Sequence, residues 1–323
     1  MNNKEKYLNF VETVYAPIYS QPWWLDAICL PENWDVWIYD PNGVVCAAMP
    51  YYLEYRNGYK YITKAPLTQN NGIIFKYPDG AGDIARRAFE EKVINEACCF
   101  IDSLELGVYE QQFHYSFKVY LPFFWNGYSA IPRYTYVIDK NISKDDAWRN
   151  MSTNYRKNCK KGKKNGIVKF DMNEDDFFSY HERVFNRQGL ECPFSRELWK
   201  RLYRACCIER NCGRILCSVS ECGEVQSLLF LVWDKESMYH LLGGNMPGCQ
   251  SLETYSALTW EGICLSRDMN LHYDFEGSMI KRISKSFREY GGIPMLYFRI
   301  RKVFENEILT KEYENNLILQ KEK

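Results

Sequence analysis

A weak internal repeat constrains the fold of this 323-residue chain more than any other feature. Segments 36–62 and 216–242 align without a gap, so that Gly43 aligns with Gly223. Each segment is typical of a strand, a polar turn with glycine, a long second strand, another turn and a third strand. Two copies of one strand pattern in a single chain predict two similarly built halves.

The elements that follow the repeat also recur in the same order. A long stretch at about 81–103 and another at about 251–268 each predict a helix after the strands. Each helix leads into a similar short strand, FHYSF at 113–117 and LHYDF at 271–275. These patterns predict an α/β (α+β) fold in which helices flank two mostly antiparallel sheets.

Domain boundaries follow from the residues between the two halves. Pro122, Gly127 and Pro132 are expected to interrupt any helix near the join, at about 121–134. The predicted divisions are an N-terminal domain at 1–132, a C-terminal domain at 133–305 and a charged, surface-packed helical tail at 306–323. The second half also contains inserted helices, which are predicted at 143–165, 173–188 and 195–210.

Charge and cysteine content disfavour several functional classes. Basic and acidic residues number 41 each, which argues against a globally basic nucleic-acid binder. The 13 cysteines, and an N-terminal sequence without the apolar core of an export signal, predict reduced thiols in a cytoplasmic protein. The cysteines between Cys206 and Cys222 are spaced too irregularly for a zinc site, so no metal is expected.

The sequence predicts no membrane-spanning helix and leaves only a peripheral contact with a membrane open. No apolar run reaches the roughly 18 residues that a membrane-spanning helix needs. Trp23-Trp24 and Phe123-Phe124-Trp125 are residue types that occur at membrane interfaces, which leaves a peripheral contact open. Packing in the core is the other role for these aromatics, and the sequence favours it.

A run of basic residues marks the second half. No acidic residue lies between Ser152 and Gly166, and the six cations of this run are Arg156, Lys157, Lys160, Lys161, Lys163 and Lys164. On a helix, Arg156, Lys160 and Lys164 share one face, where a bound phosphate or polyanion would relieve their mutual repulsion. A solvated surface helix is the equally weighted alternative.

A glycine-rich stretch at 241–255 is predicted as a loop between a strand and a helix. Gly243, Gly244 and Asn245 could line a site through their backbone groups, because N–H groups at such a junction bind anions. A tight turn without a ligand accounts for the glycines equally well.

Two carboxylates lie near the end of the last predicted strand of the second half. Asp274 and Glu276 alternate with aromatic residues, so both are expected to point to one face. Carboxylates beside a cleft are candidate general bases or substrate anchors. They could instead pair with Lys281, Arg282 or Arg288, or cap the next helix.

The segment DFEGS, followed by SFREYGG, resembles the C-terminal signature of the Fem-type (FemABX-like) transferases, relatives of the GNAT acyltransferases. The matching positions are Asp274, Phe275, Gly277, Phe287, Arg288, Tyr290 and Gly291. The basic run is similar to a segment of the same family. The resemblance implies two GNAT-like domains, which agrees with the internal repeat.

The resemblance also implies an activity, namely amide formation between an activated acyl donor and an amine. The donor would be acyl-CoA or aminoacyl-tRNA, a co-substrate rather than a permanently bound cofactor. The acceptor would be a small molecule or a muropeptide-type cell-wall precursor. Asp274 or Glu276 would orient or deprotonate the amine, and Arg288 would stabilise developing negative charge. A degenerate, non-catalytic pair of GNAT domains that binds a polyanion is the competing hypothesis, and the oligomeric state is left open.

Overall fold

The computed structural model describes residues 1–170, 172–187 and 189–321. Backbone contacts divide the chain into two compact units. The first unit contains residues 1–133 and the segment from 297 onward, and the second unit contains residues 134–296. The domain boundaries predicted from the sequence, at 132/133 and 305/306, stay a prediction. Residues 297–303 group with the first unit because the strand they form pairs there with residues 108–112.

The first unit contains a sheet in the order β1-β2-β3-β5-β12, with β4 paired to the start of β2. Its pairs are antiparallel except β3 with β5. The strands are β1 (Trp34–Tyr39), β2 (Ala47–Arg56), β3 (Tyr59–Thr63), β4 (Ile74–Phe75), β5 (Val108–Gln112) and β12 (Ile293–Val303), the last belonging here from Tyr297 onward. The helices are α1 (Asn3–Thr13), α2 (Pro22–Cys29), α3 (Asp83–Asp102), α4 (Leu121–Trp125) and α11 (Asn306–Lys321).

The second unit contains strands in the order β6-β11-β10-β9-β8-β7. Its pairs are antiparallel except β10 with β11. The strands are β6 (Ser129–Ile138, here from Tyr134), β7 (Ile167–Lys169), β8 (Gly213–Val219), β9 (Val225–Trp233), β10 (Ser237–Asn245) and β11 (His272–Asp274). The helices are α5 (Lys144–Asn150), α6 (Thr153–Asn165), α7 (Glu174–Asn186), α8 (Arg196–Tyr203), α9 (Thr254–Asp268) and α10 (Lys281–Glu289).

Each unit has its own hydrophobic core under a long helix. In α3, Val93, Ala97 and Ile101 recur every four residues and are buried against the sheet of the first unit. In α9, Leu258 and Ile263 are fully buried in the core of the second unit. The predicted α/β class, with mostly antiparallel strands flanked by helices, is therefore confirmed.

Three predicted elements differ from the structure for local reasons. The single helix predicted at 143–165 is two helices, because Ser152 caps a new helix by accepting a hydrogen bond from the Tyr155 N–H. The strand predicted at 113–117 is formed instead by the preceding residues, as β5 (Val108–Gln112). The prediction that Pro122 excludes a helix is wrong, because proline is tolerated in the first turn, where α4 places it.

Most other predicted helices agree closely with the structure. Ser143 and Ser195 cap α5 and α8, as their positions before the helices indicate. A π-helical turn at Arg204–Ile208 follows α8. The predicted helix end at Gln188 and the last two residues of the tail, 322–323, lie outside the described residues. In the part of the chain that is described, no helix is both long and apolar enough to cross a membrane.

Candidate active site

The parallel strands β10 and β11 separate after a short paired stretch. They pair only from Ser237 to Tyr239, opposite His272 to Asp274, and β10 then continues past a bulge after His240. The chain after β11 turns away instead. The backbone of Glu276 has φ 62°, and a side chain at Gly277 would lie 2.2 Å from the Tyr134 carbonyl oxygen. A cavity of about 120 Å³, here called the His240 cavity, lies between the separated ends of the two strands.

Three helices and both separated strands form the walls of the His240 cavity. The strands contribute His240, Asn245 and Phe275. The remaining walls come from α6, from the start of α9 and from α10, and the residues are Tyr155, Asn158, Glu253, Tyr255, Ser256, Thr259, Ser286, Phe287 and Tyr290. The cavity is smaller than the roughly 300–1,000 Å³ typical of small-molecule sites, so it has room for only the end of a larger substrate.

A half-buried imidazole bridges two tyrosine hydroxyls at this cavity. His240 Nδ1 lies 2.7 Å from the Tyr273 hydroxyl, and Nε2 lies 2.5 Å from the Tyr255 hydroxyl. Burial lowers the pKa of His240 to about 3, so the imidazole is neutral at physiological pH. A neutral imidazole has one donor and one acceptor, so one tyrosine donates to it and the other accepts from it.

Gly243 gives the Tyr255 ring the space it occupies. A Cβ at Gly243 would lie 2.7 Å from the Leu228 carbonyl oxygen and 2.9 Å from the Tyr255 hydroxyl. Gly243 and Gly244 belong to β10 and pair with β9, so the prediction of a loop at 241–245 is wrong. At these two positions the lack of a side chain serves close packing rather than a turn.

Further polar groups surround the cavity. The Tyr290 hydroxyl hydrogen-bonds with Ser256 and Thr259, and burial raises the pKa of Tyr290. The Tyr155 hydroxyl donates to Ser286 Oγ over 2.9 Å, which joins α6 to α10. Asn245 Oδ1 is enclosed and has no hydrogen-bond partner among the described residues, so it can accept a hydrogen bond from a ligand.

The two predicted carboxylates lie together behind the cavity rather than in its wall. Asp274 Oδ1 accepts hydrogen bonds from the Thr135 hydroxyl and, over 2.8 Å, from the Glu276 N–H. Asp274 is 2% exposed, and burial raises the pKa of its carboxyl to about 6. Burial also raises the pKa of Glu276 well above its usual value. The arrangement fixes the turn after β11.

The predicted cations are distributed differently from the carboxylates. Arg156 donates from Nη1 to the carbonyl oxygens of Arg149, over 2.8 Å, and of Met151, so its guanidinium holds the end of α5. Lys160 and Lys164 are exposed on α6, and Arg288 is exposed on α10. Both helices also line the His240 cavity, so these three cations lie on its flanking helices.

Of the nine predicted site residues, Asn245 is the one that lines the His240 cavity. Sequence reasoning missed His240 and Tyr255, which define the site. Their positions on a predicted strand and at the start of a predicted helix were visible, but no local pattern connects them. Among the described residues, no group of His, Cys, Asp and Glu is arranged to hold a metal ion, and the 13 cysteines are free thiols.

Comparison with known proteins decides the fold and the domain type. Residues 149–278 match the family described as acetyltransferase (GNAT) domain. The crystal structure of FemX superposes with a TM-score of 0.68 at 12% identity, covering 96% of this chain and 98% of that one. The chain therefore has the fold of FemX, and its residues 149–278 are similar to GNAT acetyltransferase domains. The resemblance to the Fem-type fold and to GNAT domains that the sequence predicts is thereby confirmed.

Two further solved structures have the same overall fold. A tandem GNAT protein from the clavulanic acid biosynthesis pathway has a TM-score of 0.52 at 10% identity, covering 93% of this chain and 94% of that one. The L-PGS of Bacillus licheniformis has a TM-score of 0.53 at 10% identity, covering 94% and 92%. A comparison of the sequence with curated proteins gave no significant match. Nine of the twelve residues that line the His240 cavity lie in the matched segment 149–278, and the other three, Ser286, Phe287 and Tyr290, follow it.

Proposed function

We propose that the His240 cavity is where an activated acyl group is transferred to an amine. The observation that carries this proposal is the hydroxyl–imidazole–hydroxyl chain at the point where two parallel strands of the GNAT domain separate. In the reaction, the amine nitrogen bonds to the acyl carbon and the thioester or ester bond breaks. One amine proton passes to the leaving group or to solvent.

Tyr255 acts as the hydrogen-bond donor to the reacting carbonyl. Tyr273 is fully buried and its hydroxyl contacts His240 Nδ1. Because a buried hydroxyl needs an acceptor for its proton, the Tyr273 hydroxyl donates a hydrogen bond to that nitrogen. The Nε2–H then donates to the Tyr255 oxygen, which leaves the Tyr255 proton directed at the cavity. A fixed donor in an enclosed site stabilises the negative charge that develops on an acyl oxygen.

Asn245 and the carboxylates act on the acceptor side. The enclosed Asn245 Oδ1 accepts a hydrogen bond from the attacking amine and orients its lone pair toward the acyl carbon. Asp274 and Glu276 hold the turn after β11 and thereby position Phe275 in the cavity wall. They orient the site from behind rather than contact the amine.

The flanking cations and the start of α9 bind phosphates of the donor. No side chain caps the N-terminus of α9, and Glu253 before it has left-handed backbone geometry, so the helix end favours an anion. Lys160, Lys164 and Arg288 are exposed on the adjoining helices. Phosphates occur in both acyl-CoA and aminoacyl-tRNA, so both donors fit this chemistry.

Donor and acceptor are distinguished by direct assay of amide formation. The purified protein is incubated with acetyl-CoA or with aminoacyl-tRNA, and with a UDP-linked muropeptide as the amine, and the products are analysed by mass spectrometry. The expected result is an amide product with one donor class and at least a hundredfold loss in Tyr255→Phe. Ligand-induced thermal shifts without any amide product would favour the non-catalytic binding hypothesis. A cytoplasmic location and a cell-wall acceptor are part of this proposal.

A further inference from the structure

The first unit contains a cavity of its own, at the end of its own parallel strand pair. It lies between residues 71–77, α3 and residues 113–117, beyond the point where β3 and β5 pair. Its volume is about 260 Å³, close to the lower limit of about 300 Å³ for small-molecule sites. We call it the Glu90 cavity, and nothing in the acyl-transfer proposal uses it.

Five phenylalanine and tyrosine rings line the Glu90 cavity. The rings of Phe75 and Phe117 are nearly parallel, with an interplanar angle of 11° and centroids 6.4 Å apart. Phe113 packs against Phe117 with centroids 4.5 Å apart, and Tyr77 stacks beside Phe75 at 5.8 Å. Tyr15 completes the aromatic lining. Ring faces of this kind attract cations through their quadrupoles.

Close packing of the backbone holds one of these rings in place. Gly72 has φ 119°, and a Cβ there would lie 2.7 Å from the Phe113 ring. Asn71 forms a parallel bridge with Phe113, and its Oδ1 accepts a hydrogen bond from Gln111 Nε2 over 3.1 Å. The aromatic wall is therefore set by the sheet and is preformed.

One carboxylate faces these rings. Among the described residues that line the cavity, Glu90 is the only acid, and no lysine or arginine is present. The Tyr77 hydroxyl donates to Glu90 Oε1 over 2.5 Å, which fixes the carboxylate at the cavity wall. Arg86 lies over the Tyr77 ring, with its guanidinium carbon 5.2 Å from the centroid, and lines a neighbouring groove that Tyr77 and Glu90 also line.

We propose that the Glu90 cavity binds a small organic cation, an alkylammonium group, between its aromatic walls and the Glu90 carboxylate. The aromatic faces bind the apolar and positive surface of the ligand, and Glu90 supplies the opposite charge. A neutral ligand of the same shape would supply no opposite charge to the carboxylate, whose one described hydrogen bond is from the Tyr77 hydroxyl. The inference concerns binding alone and is independent of acyl transfer.

Calorimetric titration of the full chain with choline and with n-butylammonium tests this inference. The uncharged carbon analogue of choline, dimethylbutanol, is the matched ligand control. The expected result is saturable binding of at least one of the two cations and about tenfold weaker binding of dimethylbutanol. Glu90→Gln should weaken cation binding about tenfold, and Phe117→Leu should weaken it several-fold.

The matched control variant is Glu96→Gln, which removes the same charge from an exposed position on α3. Glu96→Gln should bind the cations as the wild type does. The melting temperatures of Glu90→Gln and Glu96→Gln show whether each variant is folded. Equal binding of dimethylbutanol and choline, equal losses in Glu90→Gln and Glu96→Gln, or no binding of either cation would each overturn the inference. None of these results depends on whether the His240 cavity transfers acyl groups.

Discussion

The two cavities lie at matching places in two similarly built units, yet their residues offer different chemistry. In both units, a parallel strand pair ends and a gap opens beneath the helix that connects the strands. At the gap in the second unit an imidazole hydrogen-bonds with two tyrosine hydroxyls, whereas at the gap in the first unit a tyrosine hydroxyl donates to the Glu90 carboxylate. Duplication of the fold therefore fixes where a gap forms, and the side chains at the strand ends decide its chemistry.

Removal of one hydroxyl from each cavity is expected to give the largest difference between the two cavities, measured as the change in the rate of acyl transfer. Tyr255→Phe deletes the proposed donor and should lower the rate of acyl transfer about 10²- to 10³-fold, because positioned acid–base and oxyanion groups contribute this much. It also leaves His240 Nε2 without its hydroxyl partner, so the free energy of unfolding should fall by about 1–3 kcal/mol. Initial rates and urea unfolding measure both effects.

Tyr77→Phe is the matched change in the first unit. It removes the hydroxyl that donates to Glu90 and should leave the rate of acyl transfer within about twofold of the wild type. A comparable loss of rate in both variants would show that the two cavities do not differ in function.

A difference in pH dependence should follow from Asp274. The aligned residue of the first unit is Ser116, which does not titrate in this range. Burial raises the pKa of Asp274 from 3.8 to about 6, so the folded state binds its proton more tightly than the unfolded state. Its contribution to stability is fully present below pH 3.8 and is lost as the pH rises through 6, by up to about 3 kcal/mol.

Asp274→Asn removes this dependence and can keep the hydrogen bonds from Thr135 and the Glu276 N–H. The free energy of unfolding of the wild type minus that of Asp274→Asn should therefore fall between pH 4 and pH 6.5. Urea titrations at four or five pH values measure this difference. A difference that stays constant with pH would mean that Asp274 titrates normally in the folded protein.

The fold was more predictable from the sequence than the site. The strands of both meanders are marked by glycine turns and by runs of strand-forming residues, and each is present within a few residues of its predicted position. The continuation of β10 through Gly243 was not predictable, because glycine favours a turn unless a close neighbour such as Leu228 needs the space. The sequence does not show which neighbour that is.

The site depends on contacts between residues that are distant in the sequence. His240 hydrogen-bonds with residues 15 and 33 positions away, and a single histidine in a strand resembles any core histidine. The predicted carboxylates are close together as expected, but the turn after β11 places them behind the cavity. Arg156 was indistinguishable in sequence from its neighbouring lysines, although its guanidinium binds backbone carbonyls.

A glycine substitution in the second unit tests the role of close packing rather than that of charge. Gly243→Ala places a Cβ against the Leu228 carbonyl oxygen and the Tyr255 hydroxyl, so it should lower the free energy of unfolding by about 1–3 kcal/mol and displace Tyr255. Gly82→Ala, at the N-cap of α3 in the first unit, meets no atom within 4 Å and should cost at most about 1 kcal/mol, the loss of a better N-cap residue. Equal losses of stability would contradict the packing role of Gly243.

The smallest effect is expected at Arg288. The side chain is exposed, so Arg288→Ala should raise the KM for the phosphate-bearing donor about two- to threefold and leave kcat unchanged. The increase should disappear at high salt, where exposed charges are screened. Lys92→Ala, an exposed change on α3, is the control and should alter neither constant. A large loss of kcat would instead place Arg288 at the reacting carbonyl.

Gly162 has a mechanical consequence for the basic helix. A Cβ at this position would lie 2.2 Å from the Glu253 carbonyl oxygen, so α6 rests directly on the backbone that begins α9. No flexible side chain lies between the two at this point to absorb a displacement. The exposed lysines of α6 and the cavity residues Tyr155 and Asn158 therefore belong to one helix whose distance from the start of α9 is set by contact between backbones.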